Sequence, residues 1–513
     1  MGTIGTAAGR SPITSSARQN AASPETQEAW IGQHGSDISR ATTTAVLVLA
    51  VVAAAALRLI GGGDQLWYDE ILTLVHSVRE PLAVIVTHFP SNNDHVFYSV
   101  LSHISIVLGG ETPLMVRLPA ILFGIASIPL IYAVGSRVTT RFEALAAAVL
   151  ATVAAHHIWF SQNARGYTLL LVATLLGTQL ILDGLKTRSK TSWLLFALVS
   201  ALGAYTHLTM VLAVIGQAIA VALHLLATRR FSAEELKGPA IGFVGAAVVT
   251  VMLYLPMLGD VAAFFGDPGT NPEAASAGWA ILELFRNLQF GFNSGAILVV
   301  GGAVFLVGLI SYCRQSPFAV ALFFLPPALV YFTAVLMERP TFPRFFFFVA
   351  GFLLLVSVRG VFVIIRFVLA KLGGRWLQLE KPMEWTAVAA MAALLLLDLS
   401  RSYLKPKMDY EGALAYVEAS RRAGDIVALG EKGVDDVYSQ YYARDWPRLM
   451  NADHLARLRS GQDVLVLHTF ERYFSHRDPE LFATLKSRCT EERNFIGTLQ
   501  DGGIHVSRCA RRP

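Results

Sequence analysis

Two adjacent acids stand in the segment Trp67-Tyr68-Asp69-Glu70, a polar island between long apolar runs. A carboxylate in such a setting can take the proton of an attacking hydroxyl, the work of a general base. Asp69 can equally cap a helix starting near Ile71. Four further polar clusters follow: Asn93-Asp94-His95, Ser161-Gln162-Asn163-Ala164-Arg165-Gly166-Tyr167, Thr206-His207, and Arg339-Pro340-Thr341-Phe342-Pro343-Arg344. The guanidinium group suits a phosphate because paired N–H donors match its oxygens, and the grip is strongest where water is excluded. Arg165, Arg117 and Arg344 are the candidates for that role, against the plainer reading of arginines snorkelling to a membrane surface. Glu70 has four readings open: orienting Asp69, raising its pKa by like charge, sharing a divalent ion with Asp69 and His95, or serving as a solvated first-turn acid. His95 and His207 can touch the same phosphate or acceptor; the alternatives are a headgroup-facing side chain and a turn cap. Tyr167 lies two residues beyond Arg165 as a further substrate contact, while Trp67 and Tyr68 suit either a sugar face or an interfacial anchor.

The elements that must carry these groups are membrane spans. Of the 513 residues, 54% are hydrophobic and only 15% charged, a composition that belongs in lipid. A hydrocarbon core of roughly 30 Å needs about 20 apolar residues in a helix. Eleven stretches approach this: 41–60, 114–135, 142–160, 166–185, 191–206, 208–227, 239–258, 294–313, 317–337, 343–365 and 384–400. Lys and Arg concentrate in alternate joints, Ser136 to Arg141, Lys186 to Lys190, Arg229 to Lys237, Cys313-Arg314 and Arg366 to Lys381. The positive-inside rule puts those joints and the N-terminus in the cytoplasm. Every chemically promising cluster then falls outside, as does the segment 401–513. Residues 71–88 and 95–109 are too short to span and mix polar with apolar side chains, so they are expected to lie along the outer surface.

The first 40 residues are rich in Ser, Thr, Ala and Gly without apolar periodicity, which predicts a disordered cytoplasmic tail. They also lack the layout of a cleaved secretory signal, so the first span is expected to remain as an anchor. Residues 41–400 form the membrane domain, and 401–513 a small α/β domain. In the latter a helix is expected over Asp409 to Ala423, strands over Ile426 to Leu429 and Val464 to Leu467, and a hairpin pairing 494–499 with 504–508. Cys489 and Cys509 both lie there, outside the reducing cytoplasm, where a disulfide is open to them; spacing alone does not decide it.

Several functions are excluded. There is no P-loop and no strand-borne glycine fingerprint, and no cytoplasmic joint is long enough to fold into a nucleotide-binding domain. The net charge of +5 follows from the basic loops and does not point to nucleic acid. Ionisable residues within the spans sit near their ends, unlike the midplane sites of coupled carriers.

Leu66-Trp67-Tyr68-Asp69-Glu70, Asn93-Asp94-His95-Val96-Phe97-Tyr98, Val116-Arg117-Leu118-Pro119-Ala120 and Ser161 to Tyr167 together resemble the membrane glycosyltransferases of the GT-C fold. More narrowly, the chain is similar to bacterial relatives of the protein O-mannosyltransferases and of the lipid A aminoarabinose transferase, over residues 45–400. The resemblance implies a polyprenyl-phosphate sugar as donor, a lipid, polysaccharide or protein as acceptor, and a catalytic carboxylate at Asp69 in the first external loop. It implies a cell envelope enzyme of the bacterial inner membrane, with its C-terminal domain in the periplasm. A divalent ion is compatible with this plan and not required. The sequence departs from the family pattern at Val96, where many relatives have Pro after His95, and it has no second acid between Ser161 and Tyr167. A rival assignment, a flippase of lipid-linked sugar or a non-catalytic scaffold, would keep the fold without the chemistry.

Overall fold

The computed structural model describes residues 38–89, 94–266, 295–337, 342–499 and 501–511. Most of the N-terminal tail, Asn93, the 339–341 part of the arginine cluster and residues 267–294 lie outside the described residues.

All eleven apolar stretches fall on helices. Among the described residues, eight are long and apolar enough to cross a bilayer, and a ninth crossing results if the bent pair Arg141–Val153 and Ala155–Ser161, meeting at 63°, is one span. The other two, Lys190–Thr206 and Gly295–Gln315, are helices of 17 and 21 residues. Ser39, Thr112, Thr140, Ser189 and Ser232 cap helices of the bundle with a side-chain oxygen on an early N–H, so one otherwise orphaned donor at each of those ends is satisfied.

The bend has a physical partner. Ala154 is extended, with φ −67° and ψ 116°, which frees carbonyls of the preceding turn. Inside lipid such groups need replacement donors. Arg58, fully buried at the end of the first span, supplies them by donating to Ala151 O and Thr152 O, both at 3.3 Å. The same guanidinium reaches His157 Nδ1 at 2.8 Å and Ser161 Oγ at 3.1 Å, and His157 Nε2 lies 2.9 Å from Ser127 Oγ. This polar knot locks the first span, the bent pair and helix Pro113–Val138 together. At the basic end of the bundle, buried Glu143 accepts from Arg359 at 2.8 Å and Arg366 at 3.2 Å, and Glu384 from Arg366 at 2.8 Å and Lys381 at 2.9 Å. Helices Gly295–Gln315 and Ala350–Leu372 cross with backbones in contact, since a Cβ on Gly308 or Gly360 would come within 2.0 Å of Val356 O or Val304 O. Only small residues allow that approach.

Between the first span and helix Pro113–Val138, the chain runs through helix Tyr68–Thr73, a π-helical turn Leu74–Val78, helix Leu82–Ile85 and helix Val96–Gly109. The helix expected over 71–88 is broken into three short pieces, while that expected over 95–109 is the single 14-residue helix Val96–Gly109. The C-terminal domain holds helix Tyr410–Ser420 and a four-stranded sheet in the order β1-β2-β4-β3. Its strands are β1 (Ile426–Leu429), β2 (Val464–His468), β3 (Thr490–Phe495) and β4 (Ile504–Cys509). β1 pairs parallel with β2, while β4 pairs antiparallel with both β2 and β3. The hairpin strand β3 starts at Thr490, earlier than its composition suggested: Thr490 to Arg493 are exposed polar residues, held in register by β4 rather than by burial. Cys489 and Cys509 are disulfide-bonded with Cα atoms 4.2 Å apart, closing the end of that hairpin.

One apolar core joins the two parts. Leu66, Trp67, Ile71 and Leu74 from the first loop pack in one cluster with Tyr410, Val434, Tyr438, Leu465 and Ile504 of the C-terminal domain.

Candidate active site

Asp69 and Glu70 are neighbours in sequence with opposite surroundings. Helix Tyr68–Thr73 turns them about 100° apart, and each meets a different arginine. Glu70 is fully buried; Arg117 donates to its Oε1 from Nε at 2.7 Å and to its Oε2 from Nη2 at 2.6 Å. The Ala164 N–H donates at 2.6 Å, the Trp67 N–H at 3.2 Å, and Lys407 Nζ lies 3.6 Å away. Burial alone would raise this carboxyl, but the charges of Arg117 and Lys407 with these hydrogen bonds outweigh it and hold it at about 2. The acceptor positions of Glu70 are thus taken up by the protein. Its expected catalytic and metal-binding roles are corrected to a structural one, tying the first loop to helix Pro113–Val138 and to the Ser161–Tyr167 turn.

Arg117 is corrected in the same way. Its remaining N–H groups donate to the carbonyls of Gly62 at 3.1 Å, Asp64 at 2.7 Å and Gln65 at 3.0 Å, so none is left to hold a phosphate. Lys407, which sequence reasoning missed, sits largely buried beside this pair; burial and then the charge of Arg117 bring its ammonium down to about 7, against the raising charge of Glu70. A signal was present: Lys405 and Lys407 follow the last span, where the topology expected from the sequence calls for few cations.

Asp69 faces the other way and keeps some exposure, 12% of its side chain. Arg344 Nη1 donates to its Oδ2 at 3.1 Å. Arg344 follows helix Pro317–Leu336 in the chain and opens the 3-10 turn Pro343–Val349, where stacking against Phe342, 4.5 Å to the ring centroid, holds the guanidinium. Arg165, 1% exposed, donates from Nη1 to Thr73 Oγ1 at 3.1 Å, one turn along the helix from Asp69. It also lies 5.9 Å from the Tyr167 ring centroid.

His95, Tyr167 and His207 complete the group. The His95 ring stands 5.0 Å from both Tyr167 and His207, and His207 is 5.2 Å from Phe345. His95 Nδ1 accepts the Gly166 N–H at 3.1 Å, which places its proton on Nε2. His207 Nδ1 accepts the Thr209 N–H at 3.2 Å, so it caps the turn as well as facing the cluster. Burial, then the charges of Arg165 and Arg344 among others, hold both imidazoles well down, His207 at about 3. Both are neutral at physiological pH. Among the described residues, His95 Nε2, Tyr167 Oη and Arg344 Nε are buried with no hydrogen-bond partner. Buried polar atoms are rarely left so, and three in one cationic neighbourhood describe a receptacle for an anion. Asp94, by contrast, turns to Ser77, which donates to its Oδ1.

The proposed metal set of Asp69, Glu70 and His95 does not assemble. The one group of three close metal-type ligands among the described residues lies elsewhere, in the C-terminal domain. Glu70 is held by Arg117, and His95 spends Nδ1 on Gly166, so a cation would find Asp69 alone beside two guanidinium groups.

A family model described as dolichyl-phosphate-mannose-protein mannosyltransferase matches residues 96–259. No curated protein sequence matches the chain. Among solved structures, ArnT from Cupriavidus metallidurans bound to undecaprenyl phosphate is similar at a TM-score of 0.54 and 13% identity, covering 92% of this chain and 98% of that one. Its apo state matches with a TM-score of 0.53 over 91% and 98%. The Archaeoglobus fulgidus oligosaccharyltransferase tethered with an acceptor peptide gives 0.49 at 12% identity, covering 93% of this chain and 74% of that one. The chain thus shares the fold of ArnT, and one segment of it, residues 96–259, matches the mannosyltransferase family model.

Proposed function

We propose that this protein transfers a sugar from a polyprenyl-monophosphate carrier to an acceptor hydroxyl at the periplasmic face of the bacterial inner membrane, with Asp69 as general base. The observation that carries the reading is the pairing of a partly exposed carboxylate with Arg344, beside a buried cluster of Arg165, His95, Tyr167 and His207 in which His95 Nε2 and Tyr167 Oη lack a hydrogen-bond partner. The C. metallidurans structure of the same fold, with bound undecaprenyl phosphate, supports a lipid phosphate as the anion.

In this reaction the acceptor oxygen forms a bond to the anomeric carbon as the bond from that carbon to the phosphate oxygen breaks. The hydroxyl proton passes to Asp69 and the electron pair leaves on the carrier phosphate. A single displacement inverts the anomeric centre. Negative charge grows on the departing phosphate, and Arg165 and Arg344, fixed in a water-poor site, stabilise it in the transition state more than in the ground state. Neutral His95 and Tyr167 donate Nε2–H and O–H to the same oxygens. With two guanidinium groups as countercharge we infer that no divalent ion is required, and the acceptor is a lipid, polysaccharide or protein hydroxyl.

Reconstituted protein supplied with a labelled polyprenyl-phosphate sugar tests this. Transfer consumes the donor and releases free carrier phosphate, with no magnesium or manganese added. A flippase would instead redistribute intact donor between leaflets, and a scaffold would leave it untouched.

A further inference from the structure

Four ligand-type atoms converge at one end of the C-terminal sheet, remote in function from the glycosyl-transfer site. His468 at the end of β2 presents Nε2 at 3.2 Å from Glu471 Oε1. His505 on β4, paired across the ladder with His468, stacks on it with ring centroids 4.9 Å apart. Its Nδ1 lies 3.6 Å from Glu471 Oε1 and 3.2 Å from Glu491 Oε2, on β3. The ligand atoms of His468, Glu471 and His505 all lie within 4.8 Å of one another.

We propose that His468, Glu471, His505 and Glu491 form a structural zinc site that braces β2, β3, β4 and helix Glu471–Arg477. Zinc bonds of about 2.0–2.1 Å in a tetrahedron put neighbouring ligand atoms roughly 3.3 Å apart, and the three separations of 3.2, 3.6 and 3.2 Å already have that scale. Two imidazoles with two carboxylates are a donor set that zinc accepts and that magnesium or calcium, which seek all-oxygen shells, do not.

Without the metal, the charge is balanced by Lys486, whose Nζ lies 2.5 Å from Glu471 and 3.5 Å from Glu491. Its side chain is 44% exposed, so a dication can displace it into solvent at little cost. The site also has a structural reason to exist. Between His468 and Glu471 the chain passes through Phe470, held at φ +46°, a left-handed conformation that an aromatic residue rarely adopts. Phe470 packs edge-on against Tyr68, 5.4 Å between centroids, next to Asp69. A zinc fastening both sides of that strained link would hold the domain against the first loop.

Full-length protein in detergent, stripped with chelator and titrated with zinc, decides the matter by metal content and thermal midpoint. One zinc per chain is expected, with a higher midpoint. His505→Gln should lose that zinc and its thermal shift, while Asp69→Asn keeps both. Lys486→Met, which removes the competing cation without touching a ligand, should bind zinc more tightly than the wild type. No stoichiometric zinc, or zinc that survives His505→Gln with Lys486→Met unchanged in affinity, would overturn the proposal.

Discussion

At the residue scale, the division of labour between Asp69 and Glu70 is set by which arginine each one meets. Asp69→Asn removes the proton acceptor while leaving the packing, so transfer should fall by about 10²–10⁴-fold with membrane abundance and donor binding retained; single-turnover release of carrier phosphate measures it. Arg165→Ala removes charge-assisted hydrogen bonds worth about 1.5–3 kcal/mol, and should lower kcat/KM for the lipid donor by roughly 10–100-fold, leaving the assembled fold intact. Glu70→Gln behaves differently. It strands the buried Arg117, and breaking such a pair costs about 3–5 kcal/mol, so the variant should lose thermal stability rather than a catalytic step. The same carboxyl makes a pH prediction. Its folded pKa, about 2, lies below the usual 4.5, so its stabilisation is fully present above pH 4.5 and lost as the pH falls towards 2. Thermal midpoints of the wild type should drop across that window, and Glu70→Gln should drop less.

The element scale explains what could and could not be read from the sequence. Hydrophobic runs and basic joints disclosed the spans because lipid imposes length and charge rules directly on composition. β1, β2 and the helix at Tyr410–Ser420 were equally legible from periodicity. The break at Ala154 was not, since Ala is an ordinary helix residue; the cause is tertiary, Arg58 taking up carbonyls from another span. The roles of Arg117 and Arg165 were indistinguishable for a similar reason. Both sit near span ends, and only the fold shows that one is consumed by Glu70 and loop carbonyls while the other faces His95 and Tyr167. Gly166 shows how tightly the elements fix the site. A Cβ there would come 2.2 Å from Thr206 Cγ2 and 2.9 Å from His95 Nδ1. Gly166→Ala should therefore push His95 off its backbone donor and impair transfer far more than its single methyl suggests. An unchanged rate would show that the His95 position does not matter.

For the whole molecule, transfer at one site requires the first loop, Arg344 and the C-terminal domain to share one side of the membrane. The shared core of Leu66, Trp67 and Ile71 with Tyr410, Leu465 and Ile504 ties two of the three, and the Asp69–Arg344 pair ties the third. The one free cysteine among the described residues, Cys313, is exposed in a basic joint and offers a native reporter of the opposite face. A membrane-impermeant maleimide should leave it unmodified in intact spheroplasts and react after permeabilisation, whereas Ser475→Cys in a Cys313→Ser background should react in both.

The most direct measurement is the fate of a labelled polyprenyl-phosphate sugar in proteoliposomes that carry wild-type or Asp69→Asn protein in matched amounts. The wild type should convert the donor to free polyprenyl phosphate and a glycosylated acceptor, and the variant should bind the donor without consuming it. Equal consumption by the two proteins, or intact donor merely exchanged between leaflets by the wild type, would contradict the assignment of a base-catalysed transfer to Asp69.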